Sequence, residues 1–370
     1  MCVSGFCGHR CHADVWIGQQ DAHEGVPEHM RMDFLNVVVV NGNILTKNKQ
    51  NNSINGIIVI GNKKCFYKVQ EIKSYFMELQ GYYQMYSKFP IPELVFAVVF
   101  NDCGVIIYKY EDSISPGRGL LNDYLISEDS SEPFDFLKCI KLNYRNVKTR
   151  NSYPMQKFFE GRVESRLKKY LNYSWTEKKV DIGLNKSLKT KDIIKECINH
   201  FESERTYRCV LSHGDLNTMN IGIKPVFFDF VTSGYNYIDA EVAVFSISLL
   251  FIDLYYSPKY HRESYCGHEK ICDMIPNIPL DFFEGKDILK INSYPKTEKK
   301  RKAIAKLYLQ GLEYNNSALL YYIIMRFLTI FDIEKYETID KIYTIYLVHF
   351  FYHQMKQMDF SDVVDSIKTI

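Results

Sequence analysis

Residues 213–220 read HGDLNTMN, and residues 227–230 read FFDF. Together the two segments present an Asp, an Asn and a second Asp in order: Asp215, Asn220 and Asp229. Moving a phosphoryl group onto a hydroxyl requires one carboxylate to receive the hydroxyl proton and two oxygen ligands to hold magnesium on nucleotide phosphates. Magnesium retains several waters and takes phosphate oxygens, so an Asn amide oxygen and an Asp carboxylate suffice without a Cys or His cage. Apolar runs at 208–211 and 226–229 predict two short strands, with the polar loop between them. Gly, Asn and Asp also dominate ordinary turns, and a lone HxD would mean no more than that. The complete pattern on a strand, loop, strand frame favours the chemistry.

On those residues the chain resembles the aminoglycoside phosphotransferase family and the choline kinases, whose fold is similar to that of protein kinases. The resemblance implies an α+β, bilobal, protein-kinase-like fold, with an antiparallel-sheet N-lobe carrying one helix and a mostly helical C-lobe. It implies Asp215 as catalytic base, Asn220 and Asp229 as magnesium ligands, and His213 as the residue ordering the loop. The family more often has His or Lys two positions after the base. Asn217 stands there in this chain, as a neutral amide able to touch phosphate or acceptor. Residues 232–245, TSGYNYIDAEVAVF, resemble the family segment in which a later Asp steadies the catalytic loop, which assigns Asp239 a structural role. No DFG triplet or APE-type segment follows Asp229, which sets the chain apart from protein kinases.

A chain of 370 residues can bury the core of a two-lobed unit. A net charge of +2 shows no bias toward a polyanion, so neither nucleic acid nor an anionic membrane is expected as partner. Ten cysteines without a repeating framework suggest reduced thiols and a cytoplasmic setting. Residues 1–31 contain no Lys, Asn or Tyr, unlike the remainder, and no continuous apolar run. They are expected to be an appended or non-native leader outside the fold, or a stretch ahead of an alternative start at Met30 or Met32, and not a secretory signal. Residues 240–256 are apolar but short, and read as a buried core helix. The basic run 296–302, KTEKKRK, reads as a solvated helix start. Two Cys/His groups, Cys7, His9, Cys11 and His12, and His261, Cys266, His268 and Cys272, lack the paired spacing of zinc sites, and no zinc is expected.

The N-lobe is expected over residues 32–110 and the C-lobe over 111–370. Apolar runs at 37–40, 56–60 and 65–69 predict strands of an antiparallel sheet, with Gly61 and Asn62 as a tight connection. Ile72, Phe76, Leu79, Tyr83 and Tyr86 follow at helical spacing and predict the buried stripe of a helix over 71–86. A hairpin over 95–100 and 105–110 completes the lobe. In that frame Lys68 is the phosphate-reaching lysine and Glu78 its ion-pair partner, with Glu71 as competitor. The phosphate-covering loop falls in 41–56, which is rich in Asn and Lys and lacks G-x-G-x-x-G; Ser53, Asn55 and Gly56 are its candidate contacts. Residues 108–113 form the expected linker between lobes, where Tyr108 and Tyr110 would hold the nucleotide base through backbone groups. Helices are predicted over 155–171, 191–204, 319–331 and 342–355. The Pro-rich polar stretch 256–301 reads as an irregular insertion, a lid or binding loop that shapes the acceptor pocket.

The resulting expectation is a small-molecule kinase that moves the γ-phosphoryl of ATP or GTP, with Mg2+, to a hydroxyl of an aminoglycoside-like antibiotic or related metabolite. The alternatives are a housekeeping choline, sugar or amino-alcohol kinase, or a nucleotide-binding pseudokinase. A cationic acceptor would call on Asp253, Glu263, Asp332 and Glu334. Acceptor, nucleotide base and oligomeric state are left open by the sequence.

Overall fold

The computed structural model describes residues 42–50, 53–100, 102–111, 119–127, 135–184, 187–203, 205–252, 255–265, 270–273 and 277–370. The expected leader and the strand expected at 37–40 lie outside the described residues.

Five antiparallel strands open the described chain: β1 Gly42–Gln50, β2 Ser53–Ile60, β3 Lys63–Glu71, β4 Leu94–Phe100 and β5 Cys103–Lys109, in spatial order β1-β2-β3-β5-β4. Ile60 pairs with Lys63 across the two-residue turn, and Gly61 supplies the positive φ of 59° that such a turn requires. Alternation along the strands builds two faces. Ile58, Tyr67, Val69, Val105 and Ile107 cluster on one. The other presents Ile106 and Tyr108 to the larger core, together with the polar Lys68 and Gln70.

Helix α1, Ile72–Met85, packs on this second face, but with a different stripe from the one predicted. Tyr75, Glu78, Gly81, Tyr82 and Met85 are buried, whereas Phe76, Tyr83 and Tyr86 are more than half exposed. The helix carries two overlapping aromatic stripes, and hydrophobicity alone does not choose between them. Only the buried one contains a glycine that admits close approach and a carboxylate that reaches Lys68.

The rest of the chain is mostly helical around α2 Leu121–Ile126, α3 Asp135–Tyr144, α4 Gln156–Arg162, α5 Thr190–Glu202 and α6 Ile238–Ile247, giving a bilobal α+β fold. Every residue of α6 is buried, and so is the π-helical turn Ser248–Ile252 that extends it, as the sequence predicts for a core helix. Helices α7 Lys299–Leu309, α8 Asn316–Thr329 and α9 Thr338–Met355 complete this core. The stretch Asn316–Lys335 is apolar enough by composition to cross a membrane, and 67% of its most apolar window is buried inside the protein.

Both strands predicted to flank the HGD loop form, and two other local features depart from expectation. The strand before the HGD loop, β6 Tyr207–Ser212, pairs with Gly234–Tyr237 and Lys148–Arg150, while Val226–Phe227 pairs instead with Ile221–Gly222. The two flanking strands thus hold the loop without pairing with each other. The stretch 256–301 is only partly irregular, because Leu280–Glu284 and Ile288–Ser293 form a hairpin that joins a four-stranded sheet through Lys179–Asp181. Arg301, in the basic run expected to be solvated, is fully buried and donates to Leu249 O at 2.8 Å and to Glu298 at 3.3 Å.

Candidate active site

Strand β3 aims Lys68 at α1, and its Nζ lies 2.5 Å from Glu78 Oε2 and 3.0 Å from Asp229 Oδ1. Glu78 is buried, and it also accepts from Gln70 Nε2 at 3.3 Å and from the Tyr108 hydroxyl at 3.2 Å. Glu71, the competing partner, ends the strand and is exposed. One ammonium therefore serves two carboxylates. Burial alone would lower the Lys68 pKa, but Asp229 and Glu78 outweigh it and raise it. Burial raises the Glu78 carboxyl despite Lys68, whereas for Asp229 the ammonium overcomes burial and holds the carboxyl below its ordinary value. The Asp229 side chain keeps 46% of its surface exposed, so its charge is also partly screened by water.

Asp229 has φ 65°, one of two positive values at non-glycine positions among the described residues. Asp tolerates this left-handed region better than most side chains, and it turns the chain sharply after Phe228. Phe230 then inserts into the core against Tyr82 at 5.6 Å and Tyr108 at 6.2 Å between ring centroids.

The HGDLNTMN loop is tied down from below. His213 Nε2 donates to Phe228 O at 2.6 Å and Nδ1 accepts from Asp215 N at 3.3 Å. Burial lowers its pKa, so a neutral ring bridges the loop to the segment bearing Asp229. Gly214 has φ 85°, and a Cβ there would stand 2.2 Å from Thr232 O. Asn217 Nδ2 donates to Asp215 Oδ2 at 3.1 Å, which gives this departure from the family pattern a defined contact. Asn220 Nδ2 donates to Asp215 O at 3.0 Å, which turns its own carbonyl oxygen away from Asp215.

The residue beneath the loop is Glu241, which sequence reasoning passed over in favour of Asp239. Glu241 Oε1 accepts from Gly214 N at 3.3 Å, while Asp239 Oδ1 accepts from Asn315 N at 2.9 Å and so anchors the start of α8. Both lie on α6, and Glu241 is two residues further along, on the face toward the loop. Burial pushes Glu241 up to about 7, against the pull of the Gly214 N–H. A buried acid within an otherwise apolar helix was the available signal.

Other predicted contacts are repositioned. Gly56 sits within β2, paired with Lys47 and Tyr67, so its backbone groups serve the sheet. Asn55 is likewise paired, with Asn48 and Lys68, and Ser53 begins β2 beside the β1–β2 turn. Tyr108 lies in β5, paired with Phe66 and Leu94, and contributes its hydroxyl to Glu78. The Tyr110 N–H donates to Lys64 O at 3.1 Å and thereby continues the pairing of β5 with β3. Asp332 accepts from the Tyr170 hydroxyl and Glu334 N, and Glu334 from Trp175 Nε1 and Lys341. Asp253 and the Glu263 side chain lie outside the described residues, as do Cys266 and His268; His261 stacks on Phe331 at 4.7 Å.

Among the described residues, no three His, Cys, Asp or Glu side chains converge as a metal cage. The donor set suits magnesium instead: an Asp carboxylate and an Asn amide oxygen on adjoining segments, with coordination left for phosphates and water.

The fold is similar to solved structures of phosphotransferases. Aminoglycoside phosphotransferase APH(4)-Ia has a TM-score of 0.45 and 9% identity, covering 92% of this chain and 99% of that one. An aminoglycoside-3'-phosphotransferase of type VIII gives 0.45 and 9%, covering 81% and 98%. Spectinomycin phosphotransferase APH(9)-Ia, solved with ADP and spectinomycin, gives 0.39 and 10%, covering 92% and 98%. No family model and no curated protein sequence matches the chain.

Proposed function

We propose that the protein is a nucleotide- and magnesium-dependent phosphotransferase with a small-molecule hydroxyl as acceptor. The observation that carries the proposal is Lys68 joined to both Glu78 and Asp229, beside a loop on which Asn217 orients Asp215 and Asn220 offers a carbonyl oxygen. Residues 32–110 serve as the nucleotide-binding lobe and 111–370 as the catalytic and acceptor-binding lobe. The acceptor is an alcohol of the antibiotic or metabolite kind, and the phosphoryl donor is ATP or GTP. Cys65, Cys139, Cys197 and Cys209 are free thiols, in keeping with a cytoplasmic enzyme.

In this reading Lys68 exchanges its Asp229 contact for phosphate oxygens while Glu78 keeps it aimed. Asp229 and the Asn220 amide oxygen are the side chains that would hold magnesium, which supplies charge neutralisation on the phosphates when bound. Asp215 accepts the hydroxyl proton as the acceptor oxygen bonds to phosphorus and the bond to the nucleotide diphosphate breaks. Asn217 fixes the carboxylate through its donated N–H, and neutral His213 keeps the loop in register with Asp229.

The test is nucleotide consumption by the purified protein with ATP and GTP across a panel of antibiotics, sugars and amino alcohols. Asp215→Ala should lose turnover by roughly two to four orders of magnitude while still binding nucleotide. Transfer at the wild-type rate by that variant would overturn the assignment.

A further inference from the structure

Beyond the three acidic and amide residues of the loop, three arginines of the helical lobe, Arg162, Arg166 and Arg326, lie near enough to act on one another electrostatically, and Asp215 acts on the first of them. Arg162 ends α4, and the chain at once enters a π-helical turn, Val163–Leu167, that carries Arg166. Such turns are rare and recur at functional sites. Arg326, on α8, is buried and donates to Ser248 Oγ at 2.6 Å; Arg166 donates to Thr329 O. These two guanidiniums are thereby tethered to helix ends. Arg162 is held differently, with its guanidinium carbon 3.8 Å over the Phe158 ring, and its Nη1 is buried with no hydrogen-bond partner.

The electrostatics agree with the geometry. Burial drives the Arg162 pKa well down, Arg326 and Arg166 push it further, and Asp215 pulls it back. Aromatic support and a buried donor without an acceptor describe a cation prepared for an anion that the chain does not itself provide. Asp215 is not that anion: it forms no ion pair with Arg162, and its carboxylate accepts from Asn217 Nδ2 at 3.1 Å instead. The charged groups acting on Arg162 are Arg326, Arg166 and Asp215, whereas Lys68 is bound to Glu78 and Asp229, which assigns the Arg162 anion to the Asp215 side of the site rather than to the nucleotide phosphates.

We propose that Arg162, supported by Arg166 and Arg326, binds an oxyanion on the acceptor, so that the substrate is an alcohol bearing a carboxylate or phosphate group. This rests on the phosphotransferase reading and narrows its acceptor class. It runs against a cationic acceptor: Asp332 and Glu334, two of the acids such a ligand would use, are engaged with Tyr170, Trp175 and Lys341.

The experiment is a titration of the full chain with inorganic phosphate, sulfate and glycerate against chloride at constant ionic strength, followed by thermal shift and competition. Glycerol 3-phosphate and glycerol are then compared as ligands. Wild type should bind the oxyanions saturably and prefer glycerol 3-phosphate over glycerol. Arg162→Gln should weaken this by roughly ten- to hundred-fold, and Arg162→Lys should recover part of it. Nucleotide affinity, measured separately with magnesium, should not follow the same loss. Absence of saturable oxyanion binding in wild type overturns the proposal even if a variant fails to fold. Equal binding by Arg162→Gln, or a parallel loss of nucleotide affinity, overturns it as well. Magnesium-nucleotide binding that persists without oxyanion binding removes only this inference; oxyanion binding without magnesium-nucleotide binding removes only the phosphotransferase reading.

Discussion

Gly81 and Phe230 meet backbone to backbone, so closely that a Cβ on Gly81 would stand 1.9 Å from the Phe230 carbonyl oxygen. The contact presses α1 onto the residue that follows Asp229. Glu78 lies about one helical turn earlier on the same face, so the same approach sets the distance from its carboxylate to Lys68. A small residue in the helix thus determines whether one ammonium can reach carboxylates on two separate segments.

Replacing Gly81 with Ala tests this coupling. Helix propensity alone would favour Ala, but the added methyl has no room against backbone, and overpacking of this kind costs about 1–3 kcal/mol. Urea unfolding should show that loss, and nucleotide titration should show a weakened Kd as Glu78 and Lys68 move away from Asp229. Wild-type stability and affinity in Gly81→Ala would mean that the helix shifts freely.

Removing the ammonium should be worse for stability than removing the pair. In Lys68→Met, Glu78 stays buried with its counter-charge gone, a situation worth about 3–5 kcal/mol when a buried pair is broken. Asp229 is half exposed and adds little to that figure. The double variant Lys68→Met with Glu78→Leu should regain part of the loss, as read from denaturation curves of all four proteins. Because Lys68 holds the Asp229 carboxyl below its unfolded value, the stability from that contact is present above about pH 4. It is lost as pH falls through the folded-state value. The same acid limb in wild type and Lys68→Met would contradict this.

Asn217 donates to the carboxylate oxygen of Asp215 at 3.1 Å, and its own carbonyl accepts from Met219 N at 2.9 Å. In the phosphotransferase reading it positions Asp215, and it is itself held in place by the loop. Asn217→Ala should lower kcat roughly tenfold through loss of one oriented hydrogen bond to a charged group, with nucleotide KM nearly unchanged. A rise in nucleotide KM with kcat intact would place the Asn217 amide on phosphate instead.

These residues were legible in the sequence to different degrees, for physical reasons. Asp215, Asn220, Asp229, Lys68 and Glu78 stand out because the residue types that phosphoryl transfer would call on are few, and of these the structure joins Lys68 to Glu78 and Asp229. The stripe of α1 was misread because Phe76, Tyr83 and Tyr86 satisfy helical periodicity as well as Tyr75, Tyr82 and Met85 do. The choice depends on what lies opposite, here the Phe230 backbone, which is far away in sequence. Gly56 looked like part of a loop because glycine marks turns more often than central strand positions, yet it pairs on both sides. Arg162 gave no sign in sequence, since an arginine on an amphipathic helix is ordinarily solvated.

Glu241 gives the clearest pH signature. Its carboxyl is pushed up to about 7 in the folded protein, against about 4.3 in an unfolded chain. Between those values the folded state binds more protons than the unfolded one. Stability from this site is therefore complete below about pH 4.3 and declines as pH rises through 7. The decline is on the order of 2–4 kcal/mol for a buried group shifted by that much. Glu241→Gln keeps an amide oxygen for the Gly214 N–H and removes the titration. Urea unfolding at pH 5 and pH 8 should show wild type losing stability between the two, with Glu241→Gln flatter and the more stable of the pair at pH 8. Parallel wild-type and Glu241→Gln profiles would show that the buried acid beneath Asp215 does not take up a proton in this range.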